Sequence, residues 1–198
     1  MIIRDKQPDV AERKTALEPV FLRALELDDL DRTYKWHNDP ELYKMLVGPF
    51  HYVSRATEEE WLRNKQTYSS QEVNLAICLT ENSQHIGNIY LRNINWIAHH
   101  GEVHLFIGET GERSKGYGQT AIRLLSEYAQ HDLGLFRLYA FILGDNKPSI
   151  KMFEKCGWKV EANLRKHAFK GGKFKNVVVM GICFSDLFQM GMNNGKEG

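Results

Sequence analysis

The sequence predicts a single mixed α/β domain, and three observations lead to that prediction. Seven runs rich in β-branched and aromatic residues are separated by turn signals. Several of the stretches between them repeat apolar residues at helical spacing or carry helix-capping residues. No internal repeat, low-complexity block or linker divides the 198 residues, a length that suits one domain with a substantial core.

The N-terminal third is predicted to contain a tail, a strand and two helices. Residues 1–18 are polar, and we expect a loosely packed tail. The run 20–25 is typical of a strand, and a helix closed by Pro40 follows it. Thr57 and Glu60 have the spacing of a capping box, which predicts a second helix. The apolar face of the first helix comprises Leu27, Leu30, Tyr34 and Trp36.

The middle of the chain is predicted to contain four strands and one helix. The runs 73–79 and 85–94 surround a short polar link, which suggests an antiparallel hairpin. A strand at 102–108 precedes a glycine loop, and apolar residues at helical spacing then predict a helix from about 118 to 133. The nearly continuous apolar run 136–143 is typical of a buried strand.

The C-terminal part is predicted to contain a short helix and a hairpin. Pro148 suits the first turn of that helix, which is expected to end at Gly157. Strands near 158–168 and 174–183 flank the glycine pair 171–172, a turn signal. The predicted domain spans 19–188, and a disordered tail is expected at 189–198.

Composition argues against several classes of protein. Lys and Arg total 26 against 25 Asp and Glu, so the net charge of +1 gives no reason to expect nucleic-acid binding. No apolar run reaches membrane-spanning length and the N-terminus does not resemble a signal peptide, so we expect a cytoplasmic protein with no membrane partner. The cysteines Cys78, Cys156 and Cys183 are widely spaced, and His99 and His100 have no further ligand nearby, so no disulfide framework and no metal site are expected.

The loop "RSKGYGQTA", residues 113–121, lies between a predicted strand and a predicted helix. Free N–H groups at a helix start favour an anion, and Gly116 and Gly118 would let a phosphate approach the main chain closely. The loop lacks the G-x-x-x-x-G-K-[ST] pattern of a P-loop, and it follows too many strands for a dinucleotide fingerprint. The side chains expected at its rim are Arg113, Lys115 and Thr120.

This loop and six other segments, in the same order, resemble the GNAT acetyltransferase superfamily over roughly residues 20–188. The similar segments are "WHNDPELYKML", "GPFHYVSRATEEEWL", "EVHLFIGE", "RSKGYGQTAIRLLSEYA", "LGLFRLYAFI", "DNKPSIKMFEKCGW" and "NLRKHAFKGGKFKNVVVMGI". The resemblance is greatest to the branch that contains ribosomal-protein alanine, spermidine and sugar-nucleotide N-acetyltransferases. It implies a mostly antiparallel mixed sheet of about seven strands, in which the parallel fourth and fifth strands, 102–108 and 136–142, splay apart.

The resemblance also implies acetyl-CoA as the acyl donor, with no metal. Main-chain groups of the strand at 105–107 would pair with the pantetheine arm, and the loop 113–119 would hold the pyrophosphate. Asn146 matches a family asparagine that contacts the arm near the sulfur. The cofactor-binding residues implied are Leu105, Phe106, Ile107, Arg113, Ser114, Lys115, Gly116, Tyr117, Gly118, Gln119, Thr120 and Asn146.

The reaction implied is direct attack of a primary amine on the thioester, without a protein nucleophile. Glu102 and His104 lie two apart on one predicted strand and therefore share a face, and either could be the base. Phe153 occupies the position where many relatives place a tyrosine proton donor, so the general acid is open. The nearby tyrosines Tyr90, Tyr117 and Tyr139 are not distinguished by the sequence, and Cys156 is interpreted as a buried thiol.

The acceptor end is predicted within residues 26–68, the least regular part of the chain. Trp36 and His37 could line an acceptor pocket, although Trp36 could equally pack the first helix against the sheet. The acceptor is expected to be a small-molecule amine, such as a polyamine or an amino sugar, or a protein N-terminal amine. The family also suggests a homodimer through the last strands. The alternatives are a CoA-binding module without turnover and, less well supported, a nucleotide-binding oxidoreductase.

Overall fold

A seven-stranded mixed sheet forms the centre of the fold. The computed structural model describes residues 18–184. The strands are β1 (Val20–Ala24), β2 (Val73–Leu79), β3 (His85–Asn95), β4 (His100–Ile107), β5 (Arg137–Leu143), β6 (Lys159–Lys170) and β7 (Lys173–Cys183). Their order in space is β1-β2-β3-β4-β5-β7-β6, and only β4 and β5 are parallel neighbours. The predicted mixed sheet with parallel fourth and fifth strands is therefore confirmed.

Five helices flank the sheet. They are α1 (Leu30–His37), α2 (Pro40–Tyr43), α3 (Arg55–Gln66), α4 (Tyr117–His131) and α5 (Lys147–Lys155), with 3₁₀ turns at Leu27–Asp29 and Thr110–Glu112. No helix within the described residues has the length and apolar composition needed to cross a membrane. Residues 1–17 of the predicted N-terminal tail and the predicted tail at 189–198 lie outside the described part of the chain.

Alternate side chains of the sheet pack against two different helical layers. In β2, Ile77 belongs to the large core under α4 and α5, whereas its neighbours Ala76 and Cys78 pack on the other face with Leu62 of α3. This alternation follows from the two-residue period of a strand. The face that α4 buries comprises Gly118, Ala121, Ile122, Leu125 and Ala129, which is the predicted helical spacing.

Pro40 was predicted to close the first helix, and α1 does end before it, but a second short helix that the sequence did not predict begins at Pro40. α1 ends at His37, and Pro40 is the first residue of α2, where Asp39 is the N-cap and accepts a hydrogen bond from the Glu41 N–H at 2.9 Å. A proline suits this position because the first turn of a helix leaves its N–H groups unpaired in any case.

The second predicted helix exists, but the capping box predicted for it at Thr57 and Glu60 is wrong. α3 begins three residues earlier, with Ser54 as its N-cap, and the Ser54 hydroxyl accepts a hydrogen bond from the Thr57 N–H at 3.1 Å. Serine and threonine cap about equally well, so Ser54 and Thr57, three residues apart, offered two helix starts. Because the helix starts earlier, Glu58 lies inside its first turn and is buried.

Candidate active site

The parallel strands β4 and β5 separate at the centre of the sheet. Their pairing consists of His100 with Arg137, Gly101 with Leu138 and Glu102 with Tyr139. Beyond Glu102, β4 continues to Ile107 without pairing with β5, which pairs on its other side with β7 over its whole length. The gap opens into a cavity of about 610 Å³. This is the splay that the sequence implied.

The loop before α4 presents consecutive unpaired main-chain N–H groups. Ser114 and Gly116 have φ angles of 62° and 87°, and Gly116 is the N-cap of α4. None of the N–H groups from Ser114 to Gln119 has a hydrogen-bond acceptor among residues 18–184. A Cβ atom built on Gly116 would meet nothing within 4 Å, so the space in front of the loop is open. These features fit an anion such as a pyrophosphate.

Arg113 was expected at the rim of this loop, and the structure places its guanidinium elsewhere. Nε donates to the Ile107 carbonyl at 2.9 Å and Nη2 to the Gly108 carbonyl at 3.1 Å. Ile107 is the last residue of β4 and Gly108 follows it, and both lie beyond the part of β4 that pairs with β5. Arg113 therefore holds the loop onto the end of β4, and Lys115, which forms an ion pair with Glu112 at 2.9 Å, remains the cation at the rim.

Two further residues near this loop have structural roles. Gly118 is needed for packing, because a Cβ atom there would lie 2.8 Å from the Met152 sulfur of α5. Cys156 lies beside a second groove, of about 540 Å³, which Lys115, Gly116, Gln119 and Thr120 also line. Burial raises the pKa of the Cys156 thiol to about 11, so the thiolate is scarce at neutral pH.

Glu102 and His104 line the cavity and are in direct contact. Nε2 of His104 lies 2.7 Å from Oε1 of Glu102, while Asn93 donates to Oε2 at 2.7 Å. The Glu102 side chain is 10% exposed and that of His104 42% exposed. Burial acts to raise the pKa of Glu102, but the hydrogen bonds from His104 and Asn93 outweigh it and lower the pKa overall. An ionised carboxylate accepts the proton on Nε2, which leaves Nδ1 of His104 as the basic nitrogen.

His37 lies at the other end of the cavity and is also held by a glutamate. Its Nδ1 is 2.9 and 2.7 Å from the two carboxylate oxygens of Glu58, whose side chain is only 2% exposed. The His37 ring packs edge-on against Trp61 at 4.7 Å between centroids. All three residues line the cavity.

Trp36 lies in the core, away from the cavity wall. It is 1% exposed, its Nε1 donates to Glu109 at 3.0 Å, and its ring occupies the space in which a side chain at Gly108 would lie. This placement supports the packing role that the sequence left open.

The segment 45–53 covers the cavity and is tied to the rest of the fold at three points, one of which is Val53, whose N–H and carbonyl both bond to the Asn38 side chain at 3.1 Å. Asn146 caps α5 by accepting from the Ser149 N–H at 3.2 Å, and it donates to the Met45 carbonyl at 3.1 Å. Lys170, in the β6–β7 hairpin, donates to the carbonyls of Tyr43 and Gly48. The β6–β7 hairpin therefore flanks the cavity.

Phe153 lies at the cavity wall and is 2% exposed, with its ring edge-on to Trp158 at 4.8 Å. It cannot donate a proton. Two tyrosines, Tyr43 and Tyr90, line the same cavity. The Tyr90 hydroxyl accepts from Asn88 at 2.8 Å, and burial raises the pKa of both phenols.

Several cavity residues were not identified from the sequence. Glu58 belongs to an acidic run that suits the attraction of a cationic amine as well as a helix start, and the others had no motif that distinguished them. They are Tyr43, His51, Glu58, Trp61, Arg92 and His167. Within residues 18–184, no three His, Cys, Asp or Glu side chains are grouped so that they could hold a metal ion.

Comparison with known proteins identifies the same fold and chemistry. The sequence profile of the acetyltransferase (GNAT) domain matches residues 20–159. A spermidine N(1)-acetyltransferase of Vibrio cholerae is 27% identical over 167 residues, covering 83% of this chain and 92% of that protein. The uncharacterized N-acetyltransferase p20 of Bacillus licheniformis is 27% identical over 166 residues, covering 83% and 93%.

Solved structures resemble this one over most of their length. The crystal structure of a Vibrio cholerae spermidine N-acetyltransferase in complex with CoA and spermine superposes with a TM-score of 0.77 at 26% identity. The match covers 84% of this chain and 96% of that one. The likeness therefore includes both the splayed strands and the helices around them.

Proposed function

The chain belongs to the GNAT acetyltransferase family, and from that premise we propose that it acetylates a small-molecule primary amine bound in the 610 Å³ cavity. It is an acyltransferase that uses acetyl-CoA as its donor. The identity of the acceptor and the roles of the catalytic residues are what we propose. A protein N-terminal amine, the other acceptor that the sequence allowed, is an outcome of the test below.

One observation carries the proposal: a single cavity includes both the gap between β4 and β5 and the carboxyl groups of Glu58 and Glu102. It extends from the splay at Glu102 to the His37–Glu58 pair beneath the segment 45–53. Its volume lies within the range of small-molecule sites, and its carboxylates complement an ammonium group. The spermidine acetyltransferases among the similar proteins support a small cationic acceptor.

We assign His104 the role of general base. Nδ1 of His104 would accept a proton from the ammonium group of the acceptor, and Glu102 would hold the ring through Nε2. The neutral amine then attacks the carbonyl carbon of the thioester, the C–N bond forms and the C–S bond breaks. The CoA thiolate leaves, and it takes up the proton that the nitrogen loses as the amide forms. Glu102 is therefore a positioning residue in this proposal.

The cofactor residues implied by the family resemblance stay predictions. The unpaired N–H groups from Ser114 to Gln119 support a pyrophosphate at the loop. Of the strand residues expected beside the pantetheine arm, Ile107 already has its carbonyl bonded to Arg113. Asn146, which both caps α5 and holds Met45, supports a role at the junction of donor and acceptor ends.

The proposal is tested by thiol release from acetyl-CoA with a panel of amines. The panel contains polyamines, amino sugars, amino acids and peptides with a free N-terminus. We expect release above background with at least one small-molecule class, and acetylated product of matching mass. Acetylation of peptides alone would assign the acceptor to proteins. Binding of CoA without release in any class would support the non-catalytic alternative and would contradict the proposal.

Homodimerisation and a cytoplasmic location also stay predictions. β6 lies at the edge of the sheet, and Val160, Phe169 and Phe174 of the last two strands are exposed apolar residues. An exposed strand edge with apolar side chains is a surface that a second copy could cover. Sedimentation analysis of the full chain measures the oligomeric state directly.

A further inference from the structure

Arg92 lies in the wall of the cavity, and its guanidinium has no hydrogen-bond or ion-pair partner among residues 18–184. It belongs to β3, where its Cα is paired with that of Glu102 in β4. Its Nε is buried without an acceptor in that range. Leaving a buried N–H donor such as Nε without an acceptor is costly, and the guanidinium has four further N–H donors on its two Nη atoms.

The carboxylates near Arg92 are already bonded to other groups. Glu102 accepts from His104 and Asn93, and Glu58 is held by His37. Within the described residues, the protein therefore leaves the positive charge of Arg92 without a bonded anion.

Arg92 is nevertheless held in a defined position. Its guanidinium carbon lies 4.7 Å from the centroid of the Tyr90 ring, in a cation–π contact. The Tyr90 hydroxyl accepts from Asn88, and Asn88 in turn contacts Nε2 of the buried His85 at 2.7 Å. This chain of buried polar groups fixes the ring beneath Arg92. An arginine supported in this way and lacking a protein acceptor is arranged for a ligand.

We infer that Arg92 binds a carboxylate carried by the acceptor, so that the molecule acetylated here is an amine with a carboxylate of its own. This inference rests on the proposed function. The cavity then matches both ends of such a molecule, with the Glu102–His104 pair facing the ammonium group and Arg92 the carboxylate. A carboxylate suits the site because it can take two parallel N–H bonds from one guanidinium and carries the single negative charge that Arg92 balances.

The test compares amines that differ only in this charge. Rates of acetyl transfer are measured for ω-amino acids from glycine to 6-aminohexanoate and for lysine, each beside its carboxamide, with polyamines as a third group. We expect kcat/KM for the best acid to exceed that of its amide by about 10-fold or more, the size of a charge-assisted hydrogen-bonded pair. The chain length of the best acid measures the distance between the reacting amine and Arg92.

Variants separate charge recognition from a structural effect. Arg92→Gln should lower kcat/KM for the acids to the level of the amides and leave the amides nearly unchanged. Arg92→Lys keeps the positive charge but lacks the parallel N–H donors of a guanidinium. Its kcat/KM for the acids should lie between that of the unchanged protein and that of Arg92→Gln. Arg32→Gln, at an exposed arginine of α1 outside the cavity, is the matched control and should leave both groups unchanged.

Three results would overturn the inference. They are equal rates for acids and amides, an equal loss for both in Arg92→Gln, and acetylation of polyamines but of no carboxylate-bearing amine. In each of these cases the proposed function still stands. Failure of every amine in all three groups, and of the amino sugars as well, would overturn the proposed function too.

Discussion

Each of two histidines in the cavity is paired with a more deeply buried glutamate. His104 is backed by Glu102 and His37 by Glu58, and in both pairs the imidazole is the more exposed member. Burying a carboxylate is costly unless hydrogen bonds satisfy it, and the imidazole supplies one of these bonds. In return the carboxylate fixes which ring nitrogen carries the proton.

The proposed roles of Glu102 and His104 predict different pH profiles for their variants. His104→Gln should lower kcat by about 100-fold or more, the usual contribution of a general base. Glu102→Gln should lower kcat by less. The lowered pKa of Glu102 means that it is an anion throughout the working range, so it can accept the Nε2–H of His104 at every working pH. Glu102→Gln should therefore keep the fall of the rate in acid, since His104 remains as the base.

Initial rates at saturating acetyl-CoA across the pH range measure both effects, and calorimetric titration with CoA checks that donor binding is intact. If Glu102→Gln loses as much activity as His104→Gln and its remaining rate no longer falls in acid, Glu102 is the base and the assignment is wrong.

At the scale of elements, the site depends on where two strands stop pairing and on how the next helix begins. β5 keeps its hydrogen bonds to β7 while β4 keeps those to β3, so the two parallel strands can separate without leaving the sheet. The loop after β4 then turns through positive φ angles at Ser114 and Gly116 into α4. The helix start therefore faces the end of the opened strands, where free N–H groups and the helix dipole favour an anion.

Replacement of Gly116 should weaken donor binding more than it affects stability. Gly116→Ala introduces a Cβ at a φ of 87° and into the open space before the loop, and we expect the Kd for CoA to rise by about 10-fold. Gly134→Ala is the matched control, since Gly134 has a φ of 63° and equally open surroundings beyond the far end of α4.

Both alanine variants should lose about 1 kcal/mol of unfolding free energy, measured by denaturant titration, because alanine is strained at positive φ. Only Gly116→Ala should change the Kd. An equal Kd for the two variants would mean that the loop does not hold the donor.

At the scale of the whole molecule, the two helical layers pack on opposite faces of the sheet and contribute to different parts of the site. α4 and α5 pack on one face of the sheet around the large core, and α1 and α3 pack on the other with the smaller cluster of Leu25, Leu62 and Tyr90. The gap between β4 and β5 connects the two faces through the sheet. A donor bound at α4 and an acceptor bound beneath the segment 45–53 can therefore meet within the cavity.

Donor binding should stabilise the whole fold. CoA at about 100 times its Kd should add about 2.7 kcal/mol to the free energy of unfolding, by mass action on the native state. For a chain of this size that corresponds to a rise in Tm of about 5 to 10 °C in calorimetry. The same concentration of NAD serves as the control and should leave Tm unchanged. A larger shift with NAD than with CoA would contradict donor binding at this site.

Much of the architecture could be predicted because it follows from patterns among residues that are close together in the sequence. Seven strand-like runs, the period of α4 and the turn at 171–172 all correspond to elements of the structure. The failures are local ambiguities: Pro40 both ends one helical segment and suits the start of another, and Ser54 competes with Thr57 as a cap. Tertiary packing decides between such alternative helix starts, because they differ little in free energy.

By itself the sequence determined the fold, the family and the region expected to hold the donor, because strand alternation, helical period and a glycine loop act over neighbouring residues. Only the tertiary structure decided the cavity that we propose for the acceptor. Arg92, His37 and Glu58 meet there from β3, α1 and α3. Their spacing along the chain bears no relation to their distance in space, and the partners of a charge decide whether it is structural or free to bind a ligand. Arg113 found carbonyls at the end of β4, whereas Arg92 found no acceptor in the described chain.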